Sequence, residues 1–594
     1  MRKIRIGGAS GYWGDSAYAT KQLLEKGKLN YLVYDYLAEV TMSLLANARS
    51  KSDELGYATD FVQQILKPNL KGISERGIKV VANAGGVNLP ACQKAIQAIL
   101  DEQGIKLKVG VVSGDDLLSR ADEFKAAGVT EMTSGDAFPD KLASINAYLG
   151  AFPIAAALDA GADIVITGRV VDSATTLGVL IHEYKWPLDD YDKLSMGSLA
   201  GHLIECGCQI TGGNFTDWRD TSDGWDDMGY PIVECEENGE FVVTKPDNTG
   251  GLVSPLTISE QLIYEIGDPQ AYFLPDVVCD FSAVILDEEA PNRVRVAGSI
   301  GYPATDKYKV SATHMDGYRA TYTQLINGFD VVEKTQITAE NILKRCRAHF
   351  DELGYGDFRQ TSISQLGASA LWNPRHFNVP DGLLEVVLRM AIHHDKHEAA
   401  ALFSREVMGV ILNMTGGRCA AGAAGRPKVS PVISLYSFLL HKTQATAIVN
   451  VDGADVSYPL SDGQAFDASG IRRTDIPKAK FGSDMEQVQL IDLAVARSGD
   501  KGDFANIGVI ARRPEYMAYI ANALTEPAIA DWFSHILGGK VERFYLPGIN
   551  GLNFLLYDAL GGGGVGSMNI DVQGKTYAQQ VLMMPVDIPP GLLD

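Results

Sequence analysis

Six side chains within the first 205 residues have the types and spacing to move protons on a substrate held by a carbonyl or carboxylate. Asp35 and Glu39 lie in DYLAEV, Arg169 and Asp172 in TGRVVD, and His202 and Glu205 in GHLIECGC. Separations of three or four residues put both members of a pair on one helical face. Two carboxyl groups in unlike surroundings can divide the work of acid and base. A His with a Glu one turn away serves either as a base with its orienter or as a buried ring satisfied by its neighbour. Arg169 offers a planar fork for a carboxylate or phosphate. Asp172 would orient that fork or act as a base; a purely structural Arg–Asp pair is the competing reading.

The opening stretch IRIGGASGYWGDS raises a second possibility. Gly8, Gly11 and Gly14 form G-x-x-G-x-x-G between a strand-like and a helix-like run, with Asp35 after the next strand. In a dinucleotide fold such glycines admit a pyrophosphate, and the acid binds a ribose hydroxyl. Trp13 inside the turn and Asp15 after it oppose that reading. A shaped substrate turn made by Gly8, Ser10, Gly11, Trp13 and Asp15 is therefore expected, with an NAD(P)-dependent oxidoreductase as the alternative.

These residues need a scaffold. Strand-like runs (KIRIGG, LNYLVY, IKVVAN, KLKVGVVS, ADIVITG) alternate with helix-like runs, which predicts parallel βαβ units. Ligands of such sheets lie beyond the carboxyl ends of the strands. The polar residues fall there: Ser10, Asp35, Asn83 with Asn88, Asp115 with Asp116, and Thr167 with Arg169. Turn and cap preferences account for about half of them, but not for Arg169. Asn214 is a further donor to a carbonyl. Lys501, in the glycine-spaced stretch ARSGDKGDFANIG, and Arg426, in a Gly/Ala-rich stretch, are candidates for an anion such as a coenzyme A phosphate.

Bulk properties limit the partners. The chain has 594 residues, 46% hydrophobic, with a net charge of −22. Such a surface repels nucleic acid. No apolar run approaches the ~20 residues of a membrane span, and MRKIRIGGASG lacks the apolar core of a secretion signal. Seven cysteines, only Cys206 and Cys208 close together, fit reduced thiols. A cytoplasmic protein is expected, homo-oligomeric, with a small carboxylic acid or acyl-CoA as partner, and with no metal assigned; Asp35, Glu39 and neighbours leave room for a divalent ion. His393, His394 and His397 read as a solvated polar turn.

The expected fold class is α/β: a large N-terminal domain with a mainly parallel sheet and flanking helices over residues 1–465, divisible near 190, a linker over 466–487, and a small α+β domain over 488–594. The stretches GGASGYWGDS, DYLAEVTM, VVANAGGVN, GADIVITGRVVDSA, GHLIECGCQITGGN, TGGLVSP, DPQAYFLPDVVCDF, ARSGDKGDFANIG and GLNFLLYDALGGGG together resemble the acyclic terpene utilisation AtuA-like family across nearly the whole chain. The resemblance implies a ferredoxin-like C-terminal domain. It also implies a role in the breakdown of branched terpenoid or leucine-type acids carried as coenzyme A thioesters. The expected activity is that of a hydratase or lyase, with a non-catalytic scaffold for acyl-CoA enzymes as a further alternative.

Overall fold

The computed structural model describes residues 2–409, 412–421 and 425–593. Strands β1 (Ile4–Gly8), β2 (Tyr31–Tyr34), β3 (Lys79–Ala82), β4 (Val109–Ser113), β5 (Leu142–Ala147), β6 (Ile164–Thr167), β7 (Ile232–Cys235) and β8 (Phe241–Thr244) alternate at first with helices. The helices are α1 (Tyr18–Lys26), α2 (Glu39–Arg49), α3 (Lys67–Arg76), α4 (Leu89–Gln103), α5 (Ala121–Ala126), α6 (Phe152–Asp159), α7 (Ala174–Tyr184), α8 (Tyr191–Ile204) and α9 (Pro255–Leu262). Their limits follow from local chemistry. Gly77 and Gly104 adopt positive φ as C-caps of α3 and α4, and Pro90 occupies the first turn of α4 behind the Asn88 cap.

The main sheet has 11 strands. Its centre is parallel, in the order β1, β2, β3, β6, β4. Antiparallel strands extend it: β7 and β8 beyond β1, and Ile448–Val451 beyond β4. The central strands are apolar on both faces because helices cover both. Helices α1, α3 and α4 pack on one side; α6, α7, α8 and α9 pack on the other.

A second, antiparallel sheet is built on the 21-residue strand Lys307–Asn327. Strand β5 and Val429–His441 pair with its first half, and Glu385–His394 with its second. A division at 190 does not follow the sheets. Strands β7, β8 and Ile448–Val451 belong to the first sheet, and β5 crosses to the second. His393 and His394 are not a solvated turn: both are buried at the end of a strand. His394 lies edge-on to Phe350, and His393 contacts the Asp316 carbonyl. The aromatic cluster under this sheet turns the strand end inward.

The C-terminal unit has four antiparallel strands in the spatial order Ala494–Lys501, Phe504–Ala511, Gly551–Leu556, Val541–Leu546. One face carries its own helices. The other lies on α9 and the segment after it. Buried Asn506 donates to Ile263 O at 2.7 Å and Asn553 to Ile266 O and Gly267 O at 2.8 and 2.7 Å. Arg497 and Glu260 meet at 3.4 Å beside them, both almost fully buried. Replacing Asn553 by Ala strands the two carbonyls and the Asn506 amide. It should lower stability by about 1–3 kcal/mol, read as an earlier melting transition of the whole chain.

Candidate functional site

The parallel strands deliver their polar groups to one rim, as strand direction requires. Asp35 follows β2 and its carboxylate is held by Asn83. Asn83, after β3, donates to its carboxylate and accepts from the Tyr36 N–H at 2.7 Å. Arg169 follows β6 and is almost completely buried. Its Nη1 donates to Asp172 at 2.6 Å, to Leu37 O at 2.5 Å and to Val170 O at 3.2 Å. Its Nε is buried with no hydrogen-bond partner. The guanidinium carbon stands 4.2 Å from the centre of the Tyr148 ring.

Tyr148 follows β5 and donates to Glu39, the first residue of α2. Lys309, on the long strand of the second sheet, reaches the same Glu39 oxygen at 3.4 Å. Asp115, after β4, accepts from the Arg169 N–H at 2.8 Å and from Asn146 at 2.9 Å. It forms the floor of the site, and a Cβ on Gly168 would come 2.1 Å from it.

On the other flank, α8 presents His202 and Glu205. Glu205 Oε1 is 3.1 Å from His202 Nδ1, and Nε2 lies 3.1 and 3.2 Å from the carbonyls of Gln261 and Leu262. Those carbonyls require an Nε2–H, so Nδ1 is the acceptor. The C-terminal unit adds Lys501, 5.2 Å from the centre of the Tyr272 ring, and Lys575, which bonds Glu265 at 2.7 Å and Asp500 at 3.3 Å.

Electrostatics divide these groups. Burial raises the Asp35 carboxyl well above its ordinary value, and the charges of Asp172 and Glu205 add to the rise. Glu205 is raised in the same way by burial, Asp172 and Glu265. Burial also acts on Glu39, but Lys309, Arg169 and the Tyr148 hydroxyl outweigh it and hold that carboxyl below the usual range. Burial lowers His202 to about 4, so the ring is neutral at pH 7. One cluster thus holds two carboxyl groups that burial biases toward the neutral acid, Asp35 and Glu205, beside Glu39, which its partners bias toward the carboxylate. The neutral His202 accepts the Glu205 proton in a hydrogen bond. With both ring nitrogens engaged, His202 positions Glu205 and has no lone pair left to act as a base.

Asp115 is pushed up by burial to about 6. The native state therefore binds its proton more tightly than the unfolded chain does. That contribution to stability is complete below the unfolded value and is lost as pH rises through about 6. In the Asp115→Asn variant this dependence should vanish. Unfolding free energies of the two proteins, measured from pH 4 to 7, should converge or cross as pH rises.

Asp35, Glu39, Asn83, Arg169, Asp172, His202, Glu205 and Lys501 share this neighbourhood. The opening glycine turn does not act as a cradle. The Gly11 N–H donates to Asp15 at 2.9 Å, and Trp13 Nε1 donates to Asp60 at 2.8 Å. A Cβ on Gly8 would lie 2.6 Å from Ile204 O, and one on Gly11 would lie 2.9 Å from the Cys206 backbone. These glycines let β1 and its turn pack against the end of α8; no room remains there for a pyrophosphate. Ser10 serves the turn by donating to Asp35 O at 3.2 Å. Thr167 donates to Gly168 O, and Asn88 caps α4. Asn214 and Arg426 are exposed, outside the cluster's hydrogen bonds. Ser498 and Asn506 belong to strands and are buried, so ARSGDKGDFANIG is a hairpin rather than an anion-binding loop. Among the described residues no three His, Cys, Asp or Glu side chains are arranged to hold a metal ion, Asp35 and Glu39 included. No described helix is long and apolar enough to cross a membrane.

Tyr148, Lys309, Glu265, Asp500 and Lys575 were not among the candidates. Tyr148 follows a strand-like run, but β5 belongs to the antiparallel second sheet, where the strand-end rule gives no signal. Lys309 and Lys575 carry no local signal, since sheet stacking and domain docking bring them in.

The family model described as acyclic terpene utilisation family protein AtuA matches residues 4–451, and the AtuA ferredoxin-like domain matches residues 488–587. The chain belongs to the acyclic terpene utilisation AtuA family. Neither the curated proteins nor the solved structures gave a match. The two AtuA segments meet at the cluster: one supplies its carboxyl groups and Arg169, the other Lys501 and Lys575.

Proposed function

We propose that this protein is a hydratase or lyase acting beside the carbonyl of a branched, acyclic carboxylic acid or its coenzyme A thioester. The observation that carries the reading is the gathering of three carboxyl groups in unlike surroundings around one buried arginine. Burial biases Asp35 and Glu205 toward the acid, while Lys309, Arg169 and Tyr148 bias Glu39 toward the carboxylate. Family membership supports a place in acyclic terpene utilisation.

Dehydration of a 3-hydroxyacyl group illustrates the roles. Asp172, half-exposed and ion-paired to Arg169, takes the proton from the carbon next to the carbonyl. The electron pair forms the new C=C bond as the C–O bond breaks. Glu205 or Asp35 gives its proton to the departing hydroxyl, which leaves as water. The free Nε–H of Arg169 supplies a donor for the charge that develops on the carbonyl oxygen. Hydration is the same sequence reversed. The glycine turn gives the oxidoreductase alternative no support, because the N–H of Gly11 goes to Asp15 and the space beside Gly8 and Gly11 is taken by the end of α8 and the Cys206 backbone.

The test is a panel of branched 2-enoyl and 3-hydroxyacyl thioesters, with the free acids, followed by enoyl absorbance and by mass. Water should add to or leave at least one of them. Absence of turnover across the panel, with no binding of any member, sinks the reading.

A further inference from the structure

A half-open groove enclosing about 960 Å³ runs along α2 on the outer side of the cluster. One wall is a single helical stripe: Ser43, Ala46, Asn47 and Ser50 line the groove. Glu39 lies on the same stripe, one turn before Ser43. The opposite wall is the second sheet, through the long strand Lys307–Asn327 and the two strands paired to it, β5 and Val429–His441. Three of its largest apolar side chains are exposed to water: Leu44 at 51%, Met315 at 54% and Leu118 at 37%. Leu142, Pro431 and Ile433 extend the same lining.

The sheet connects this groove to the cluster in steps of two residues, the spacing that keeps side chains on one face. Along β5 the steps are Ser144, Asn146 and Tyr148. Along the long strand they are Thr313, Ser311 and Lys309. Ser144 pairs in register with Thr313, and Asn146 with Ser311. Ser144 and Thr313 satisfy each other at 2.7 Å. Asn146 Oδ1 and Ser311 Oγ are buried without a hydrogen-bond partner. They stand between the apolar groove and the Glu39–Tyr148–Lys309 group, where the polar end of a ligand would pass. The mouth carries Arg49, Asp53 and Asp116, with Arg49 and Asp116 3.7 Å apart. A net negative mouth disfavours the phosphates of a nucleotide.

We propose that the α2 groove binds the apolar branched chain of a carboxylic acid whose carboxyl or acyl carbonyl accepts from the Ser311 hydroxyl and Arg169. The inference rests on the reading above for the nature of the head group. It adds the chain site and excludes the coenzyme A nucleotide from this groove. A volume on the order of 300–1,000 Å³ suits a ligand of that size.

Displacement of dansyl-aminoundecanoic acid from the full-length protein tests the proposal. Branched free acids of increasing length, from five to about ten carbons, should bind about three- to fourfold tighter per added carbon, as expected for ~0.8 kcal/mol per buried methylene. Ala143→Trp, which fills the groove from the sheet side, should abolish that length dependence. Ala46→Phe fills it from the helix side and serves where Ala143→Trp does not fold. Free coenzyme A should not displace the probe. Affinity independent of length, length dependence that survives both folded variants, or displacement by coenzyme A would each overturn the proposal. Length-dependent binding without turnover of any acid or thioester keeps the groove and removes the hydratase reading. Turnover without length dependence does the reverse.

Discussion

Arg169→Ala should be the most damaging single substitution in this protein. Arg169 is buried, and one guanidinium nitrogen satisfies Asp172 and two backbone carbonyls, those of Leu37 and Val170. It also faces Tyr148 and holds down Glu39 with Lys309. Removing it leaves carboxylates without their countercharge and carbonyls without a donor. Breaking a buried pair by deleting one partner costs about 3–5 kcal/mol. Turnover should fall at least as steeply, by ~10²–10³ for a lost donor to a developing oxyanion. Thermal melting measures the first effect and saturating-substrate kinetics the second. Arg169→Lys retains the charge but loses the fork. It should recover part of the stability and little of kcat. An Arg169→Ala protein as stable and as active as the parent would remove Arg169 from the centre of the site.

Glu205→Gln should separate catalysis from folding. Burial and the nearby charges of Asp172 and Glu265 push the Glu205 carboxyl well above its ordinary value, toward the acid. A glutamine amide is neutral too, and its NH₂ can donate to His202 Nδ1 as the acid does. The variant should therefore fold normally. Linkage gives the sign of its pH dependence. A raised carboxyl pKa contributes stability that is present below the unfolded value and declines as pH rises through the folded one. Glutamine cannot ionise, so the variant should gain stability over the parent as pH rises through the raised value of Glu205. With no proton to donate, kcat should drop by ~10²–10⁴. The rate that remains should lose its alkaline limb. Unchanged kcat with raised stability would make Glu205 a burden on the fold and pass the acid role to Asp35.

Much of the scaffold was legible because it is local. The alternation of strand and helix depends on neighbours a few residues away. So did the arrival of Asp35, Asn83, Asp115 and Arg169 at one rim, since parallel strands send their following residues the same way. The second sheet was harder to read. Strand β5 looks like one more step of the alternation, yet it pairs with residues 310–314, a choice made by hydrogen bonding across the chain. The division expected near residue 190 fails for the same reason.

The residue types at the centre were set by the sequence: carboxyl groups, an arginine and a histidine, spaced to meet. Their chemical states were not. Whether a carboxyl is an acid or a carboxylate depends on burial and on charges that arrive from elsewhere. Lys309 comes from the second sheet and holds Glu39 ionised. Burial, with the charges of Asp172 and Glu265, biases Glu205 toward the acid. The opening glycines show the same limit. Sequence marked a place where a backbone could come close, and only the tertiary structure decided that the partner is the end of α8 rather than a phosphate, because the same lack of a side chain serves either approach.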